Sequence, residues 1–298
     1  MERYVVHVTK ECNCDCIYCY EKDKTSTYTW EEVKELIDSI VKYRTDDEFG
    51  IEFLGGEPLL AWDLIKKSYE YLESNKEINI TDYVITTNGT VMTEEIADYI
   101  SKNPKLRVAI SLDGHIFANQ LRVFKDSRKN TYNKVIENIN FLKQYGVESS
   151  IHITSHPYNV AYIYSSINDL YKRGIRFIDV GTVESTMEID KEYCDRFIKE
   201  LDLVSEKIID GTYPDLQIGL FNWLKPYDDV RSYIKDPITG KTIAESYGRS
   251  GNDITHTDEY EVVRCEDKDE ISKMIYHIRK TVYENHQKRL KEGNINDN

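Results

Sequence analysis

The chain has 298 residues, 40% apolar and 31% charged, enough to bury a sizeable core in one large α/β domain with extensions or in two small domains. That excludes a disulfide-stapled mini-protein. Its 39 Lys and Arg against 53 Asp and Glu give a net charge of -14, which repels phosphate backbones and argues against nucleic acid as a partner. No run approaches the roughly 20 apolar residues that cross a bilayer, and residues 1–4 lead into a strand-like segment rather than a signal peptide. A cytoplasmic protein without a membrane partner is expected.

Residues 4–8 are β-branched and aromatic, as a first strand should be; a cysteine-bearing loop and a helix ending near Tyr43 follow, opened by Thr29 with Glu32 three residues on. The pattern then repeats. Strand-like runs at 50–54, 83–86, 106–112, 147–154 and 175–180 alternate with helical periods at 62–74, 93–101, 132–145, 161–173 and 190–209. Gly146 and Gly174 close two of the helices as C′ glycines. Six βα units predict a parallel sheet with helices outside, either an open doubly wound sheet or a barrel two units short of closure. In both, the loops after the carboxyl ends of the strands hold the active site. The cysteine loop, Gly55-Gly56-Glu57-Pro58, Thr87-Asn88-Gly89 and Ser111-Leu112-Asp113-Gly114 all belong to that rim.

After Gly211 the alternation stops. Residues 213–258 carry Pro214, Pro226 and Pro237 with four glycines and read as loops with short strands. Residues 258–265 form a hairpin arm, 267–291 a helix, and 293–298 a frayed tail. The expected division is a barrel over 1–211 and an extension over 212–298.

Four of the six cysteines, Cys12, Cys14, Cys16 and Cys19, fall within eight residues, a spacing that suits metal ligation in a reducing compartment better than disulfides. Cys12, Cys16 and Cys19 in C-x3-C-x2-C can bind three irons of a cubane [4Fe-4S] cluster and leave the fourth iron open. Zinc is the alternative, with Cys14 as fourth sulfur, although structural zinc sites usually draw paired ligands from separated knuckles.

The run Cys12-Asn13-Cys14-Asp15-Cys16-Ile17-Tyr18-Cys19-Tyr20 resembles the cluster loop of the radical S-adenosylmethionine (SAM) enzymes. The resemblance continues through Gly55-Gly56-Glu57-Pro58 and Ser111-Leu112-Asp113-Gly114 and covers about residues 4–184. It implies a partial (β/α)6 TIM barrel, one [4Fe-4S] cluster held by Cys12, Cys16 and Cys19, and SAM as co-substrate. By the same resemblance Tyr18 lies by the adenine. Gly55 and Gly56, with Glu57, receive the SAM ammonium, and Ser111 and Arg122 contact SAM. Asn88 and Asp113 shape the ribose end or the loops, and each also fits a plain turn; Arg122 also fits a solvated surface residue.

Ser111 to Gly114, Arg122 and Tyr132-Asn133-Lys134-Val135-Ile136 are similar to the branch containing anaerobic sulfatase maturases and peptide-modifying enzymes. Their cysteine-rich extension, SPASM or twitch, is degenerate here: Tyr247 stands where a first cysteine is expected and only Cys265 remains. A single cluster is therefore expected, acting on a peptide or protein, such as a short precursor, with flavodoxin or ferredoxin as reductant. A leader-recognition domain ahead of the first strand is not expected. A small-molecule substrate, a nucleotide or amino acid, is the alternative, and a non-catalytic iron-sulfur or zinc protein the third reading. Cys14, Cys194 or Cys265 could donate a hydrogen atom in an epimerisation, but each also reads as a small buried residue. His152 and His156 read as structural or rim residues, Glu184 as a surface carboxylate, and the 23 tyrosines as packing groups.

Overall fold

Every second side chain of β5 (Ser149–Ser155) and β6 (Phe177–Thr182) is buried, with Ile151 and Ile153 on one strand and Ile178 and Val180 on the other. This period of two sets one face of the sheet against helices and leaves the opposite face to polar groups. The same alternation, less strict, runs through β1 (Glu2–Thr9), β2 (Glu48–Gly55), β3 (Asn79–Thr87) and β4 (Leu106–Ser111). All six strands pair in parallel in chain order. The computed structural model describes residues 2–21, 24–44, 47–183, 187, 189–222, 232–235, 242–247, 261–264 and 270–296. Glu184 and Cys265 lie outside them.

The crossover helices are α1 (Trp30–Tyr43), α2 (Trp62–Ser74), α3 (Glu94–Lys102), α4 (Tyr132–Gln144), α5 (Ile163–Lys172) and α6 (Lys191–Ile209). Thr29 and Glu32 form a reciprocal capping box on α1, and Thr93 and Asp190 cap α3 and α6. Each such cap is worth about 1 kcal/mol. Between helices and sheet lies a continuous apolar layer in which Tyr69 of α2 meets Tyr83 of β3 edge-on at 4.8 Å.

Short strands from the region after Gly211 extend both edges of the six-unit sheet. A seventh strand, β7 (Gln217–Ile218), extends β6 in parallel and leads into α7 (Gly219–Asn222); two residues are too few to show a period. On the other side β9 (Thr242–Tyr247) pairs antiparallel with β1, β8 (Ser232–Lys235) with β9, and β10 (Glu261–Arg264) with β8. The order is β10-β8-β9-β1-β2-β3-β4-β5-β6-β7. The seven parallel strands thus form an open partial barrel that the extension prolongs at the β1 edge.

The last helix, α8 (Glu270–Asn296), packs on α6 and α7. It takes in residues 293–296 of the stretch expected to fray. His286 stacks on Phe221 at 4.3 Å and its Nδ1 meets Ser205 Oγ at 2.8 Å, while Arg289 reaches Asp202 at 2.8 Å. No helix among the described residues is long and apolar enough to cross a membrane.

The turn after β2 seats the cysteine loop. Gly56 N–H donates to Thr9 O at 2.9 Å and Glu57 N–H to Glu11 O at 2.7 Å. A Cβ on Gly56 would lie 2.3 Å from Lys10 O and 2.4 Å from Glu11 O, both backbone atoms. Gly56→Ala is therefore expected to push the loop off its seat and lower stability by about 1–3 kcal/mol. Urea unfolding of the apo-protein checks this, and an unchanged midpoint would contradict it.

Candidate functional site

The cysteine loop leaves β1 and is clamped on three sides by backbone and side-chain bonds. The β2 turn holds its start. From the segment after β4, Asp15 N–H donates to Val123 O at 2.8 Å, Ile17 N–H to Leu121 O at 3.1 Å and Lys125 N–H to Asn13 O at 2.9 Å. From the turn after β3, Asn88 Nδ2 donates to Asn13 Oδ1 at 2.9 Å. A polar loop of this kind would fray alone; here its backbone groups find partners on neighbouring loops.

Cys12, Cys16 and Cys19 are half-buried, whereas Cys14 is 1% exposed. The Cys14 sulfur is turned into the protein, 3.3 Å from Asn88 Nδ2 and 3.7 Å from Asn13 Oδ1. Hydrogen bonds from Cys14 bring the Cys12 thiol down to about 6, against the opposing effect of burial. Burial pushes the Cys16 thiol up.

Asp113, in the loop after β4, organises the floor beneath these thiols. Its Oδ2 accepts from the Tyr18 hydroxyl at 2.5 Å, and its Oδ1 from Arg122 Nε at 2.9 Å and Thr154 N–H at 3.2 Å. Asn119 Oδ1 takes the Asp113 N–H at 3.0 Å. Arg122, 8% exposed, also donates to Thr154 Oγ1 at 3.3 Å and lies 5.4 Å above the Tyr18 ring. It is not the solvated side chain its type suggests. Burial alone would lower the Arg122 pKa, but the Asp113 carboxylate together with the neighbouring Tyr18 and Cys16 reverses this, so the guanidinium stays charged. His156, 1% exposed, packs on Tyr18 at 5.3 Å, and burial takes it down to about 4. It is a neutral floor residue, its Nδ1 accepting from Tyr158 N–H at 3.2 Å.

Glu57 is fully buried, and three protein groups donate to its carboxylate: Leu59 N–H at 3.0 Å, Thr87 Oγ1 at 2.6 Å and Asn88 N–H at 2.7 Å. Burial still raises it to about 7. It braces the β2 turn against the β3 turn, so it reaches a ligand only through oxygens already engaged. The Cβ directions of Gly55 and Gly56 likewise point at the backbone of residues 9–11, so the glycines serve the close approach of protein backbone there. Ser111 lies at the carboxyl end of β4, laterally paired with His152. Cys194 is buried in the first turn of α6 within the apolar layer.

The donor set fits an open-cornered cubane. Three thiols of one loop are half-buried, and the fourth is committed inward to Asn88 and Asn13. Among the described residues no three Cys, His, Asp or Glu side chains converge on a single ion. A four-sulfur zinc site would require Cys14 to turn outward.

An open α/β sheet with a three-cysteine loop after its first strand and a glycine turn after its second defines an iron-sulfur barrel protein. The chain belongs to the Radical SAM superfamily, whose profile matches residues 6–170; that family uses a [4Fe-4S] cluster and SAM. It is 25% identical over 241 residues to a cysteine-type anaerobic sulfatase-maturating enzyme of Clostridium novyi, covering 76% of this chain and 63% of that one. It is 27% identical over 219 residues to a GTP 3',8-cyclase of Clostridium botulinum, covering 67% and 62%. The chain thus spans less than two thirds of either curated relative. Native anSMEcpe with bound AdoMet and the Cp18Cys peptide shares the fold at a TM-score of 0.65, with 22% identity over 74% of this chain and 64% of that one.

Sequence reasoning missed the Tyr18–Asp113–Arg122 contact and the inward turn of Cys14, since both depend on partners 74 or more positions away in one case and on a 95-residue span in the other. Asp113→Ala leaves the Arg122 guanidinium buried without its carboxylate, and a loss of about 3–5 kcal/mol is expected; a loss below 1 kcal/mol in urea unfolding would contradict the pairing. Glu57 gives a pH signature. Its folded pKa, about 7, exceeds the ordinary 4.5, so between those values the folded state holds the proton more tightly. Stability from this group falls as pH rises through that window. Glu57→Gln should flatten the decline in the apo-protein, and identical slopes in variant and wild type would sink the assignment.

Proposed function

We propose that this chain is a radical SAM enzyme acting on a peptide or protein, with one [4Fe-4S] cluster held by Cys12, Cys16 and Cys19. When bound, the cluster and SAM would supply the difficult chemistry, reductive cleavage of SAM and abstraction of a hydrogen atom from the substrate, with the electron coming from a reductant such as flavodoxin or ferredoxin. The chain's residues position and seal. Asp113 holds Tyr18 and Arg122 in place beside the loop, and Ser111 and the charged edge of Arg122 offer hydrogen bonds to the polar end of SAM. The floor of Tyr18 and His156 excludes water that would quench a radical.

The observation that carries the peptide reading is the polarity of the sheet face turned from the helices. Glu52, hydrogen-bonded to Thr86 Oγ1 at 2.6 Å, and Asp179 both lie there. The arginines of that face, Arg3 and Arg107, are drawn to Asp82 at 2.9 and 3.8 Å. A nucleoside triphosphate would bring its phosphates to the Glu52 carboxylate and to Asp179, whose charge Arg279 offsets in part, which disfavours a substrate like that of the cyclase relative. A peptide brings neutral amides. Beside Ser111, His152 Nδ1 lies 3.3 Å from Asp179 Oδ2. Space for this pair is kept by Gly181, where a Cβ would come within 3.1 Å of the His152 ring, and by Gly219, where it would come within 2.7 Å of Asp179 Oδ1. With Asp179 beside Nδ1, Nε2 has no hydrogen-bond partner among the described residues and is offered to an N–H or O–H of the substrate.

Anaerobically reconstituted protein with dithionite and SAM should form 5′-deoxyadenosine above a Cys16→Ala control and contain about four irons per chain. Absence of that product would favour a non-catalytic iron-sulfur protein, and about eight irons would overturn the single cluster. A cysteine-bearing sulfatase-type peptide and GTP, each deuterated, separate the two substrate classes by which one transfers deuterium into 5′-deoxyadenosine; transfer from GTP alone would refute the peptide reading. His152→Ala should keep substrate-free SAM cleavage and lose on the order of a hundredfold in deuterium transfer. Full retention of transfer would remove His152 from the substrate site.

A further inference from the structure

Asn88 lies in the turn after β3, and both ends of its carboxamide are fixed. Its Oδ1 accepts from the Thr90 N–H at 2.9 Å and the Thr90 hydroxyl at 2.7 Å. With the oxygen so engaged, the amide hydrogens must face the cysteine loop. There Nδ2 lies 2.9 Å from Asn13 Oδ1, 3.3 Å from Cys14 Sγ and 3.8 Å from Cys12 Sγ. The Cys14 backbone N–H donates to Cys12 Sγ at 3.3 Å. The Cys12 sulfur thus sits in a local field of N–H donors supplied by two separate segments. Asn13 Nδ2 in turn donates to Thr90 Oγ1 at 2.8 Å, which closes a ring of polar side chains behind the loop.

Hydrogen bonds to a thiolate that ligates an iron-sulfur cluster disperse its negative charge. That charge grows when the cluster accepts an electron, so donors favour the reduced state and raise the reduction potential. We propose that Asn88, oriented by Thr90, is a redox-positioning residue whose N–H edge, bonded to Asn13 and Cys14 and 3.8 Å from Cys12 Sγ, acts with the Cys14 N–H donor to stabilise the Cys12 thiolate and raise the potential of the cluster. The electron balance is simple: the oxidised cluster gains one electron from the external reductant, and no bond in the protein forms or breaks. The role also accounts for Cys14, whose buried sulfur takes the second amide contact and holds the carboxamide close to its neighbour. The inference rests on the proposed ligation by Cys12.

The test is a potentiometric titration of the reconstituted holoprotein, followed by electron paramagnetic resonance and run without SAM or substrate. Asn88→Ala should lower the midpoint potential at unchanged iron content. Asn88→Asp, equal in shape but with a carboxylate oxygen in place of the donor, should lower it further. Thr90→Val, which removes one of the two anchors, should lower it by less than Asn88→Ala. A residue that merely shaped the loop would not produce this order. Equal potentials in wild type and every cluster-bearing variant, or Asn88→Asp titrating above wild type, would overturn the proposal. Should neither Asn88 variant assemble a cluster, Thr90→Val decides: a lowered potential supports the proposal and an unchanged one refutes it. A wild-type protein that takes up no iron would instead bring down the proposed function.

Discussion

One buried carboxylate ties the cysteine loop to the barrel. Asp113 has no exposed side-chain surface and receives a phenol from the loop, a guanidinium from the segment after β4 and an amide from β5. Taking a carboxylate and a guanidinium out of water costs several kcal/mol each, and their attraction with the added hydrogen bonds roughly offsets that. The arrangement therefore contributes position more than stability. It leaves Tyr18 one place to go, and with Tyr18 fixed, Cys16 and Cys19 on either side of it are held against the rim.

The remaining contacts extend the same logic. The glycine turn after β2 presses the loop from one side, with backbone so close that a methyl group would collide, and Glu57 ties that turn to the β3 turn through Thr87 and Asn88. Four loops from four strands then act as one rigid body around the thiols. Rigidity of this kind suits chemistry in which a reactive carbon radical must meet one hydrogen and no other, because misplacement is costly in rate.

The helices and central strands were legible because each carries its own local signal. Thr29 with Glu32 announces α1, Thr93 announces α3, and the alternating isoleucines of β5 announce a half-buried strand. Grouping the cysteine loop, the glycine turn, Thr87-Asn88-Gly89 and Ser111 to Gly114 on one rim followed from parallel βα topology alone. What was illegible depends on distance in the chain. β7 is two residues long and is a strand only because β6 lies beside it, and the pairing of β9 with β1 joins residues 240 or more positions apart. The burial of Arg122 and the inward turn of Cys14 are likewise properties of the assembled loops; from residue type, an arginine reads as exposed and a clustered cysteine as a ligand.

The account stands on a cluster whose fourth corner is left to SAM. Its most direct test is the electron paramagnetic resonance spectrum of the dithionite-reduced protein, recorded before and after SAM is added. A signal of a reduced four-iron cluster whose g-values change on addition of SAM is the predicted result, because the ligand enters at an iron without a protein thiolate. A spectrum indifferent to SAM, or a colourless protein that binds zinc through all four loop cysteines, would contradict it.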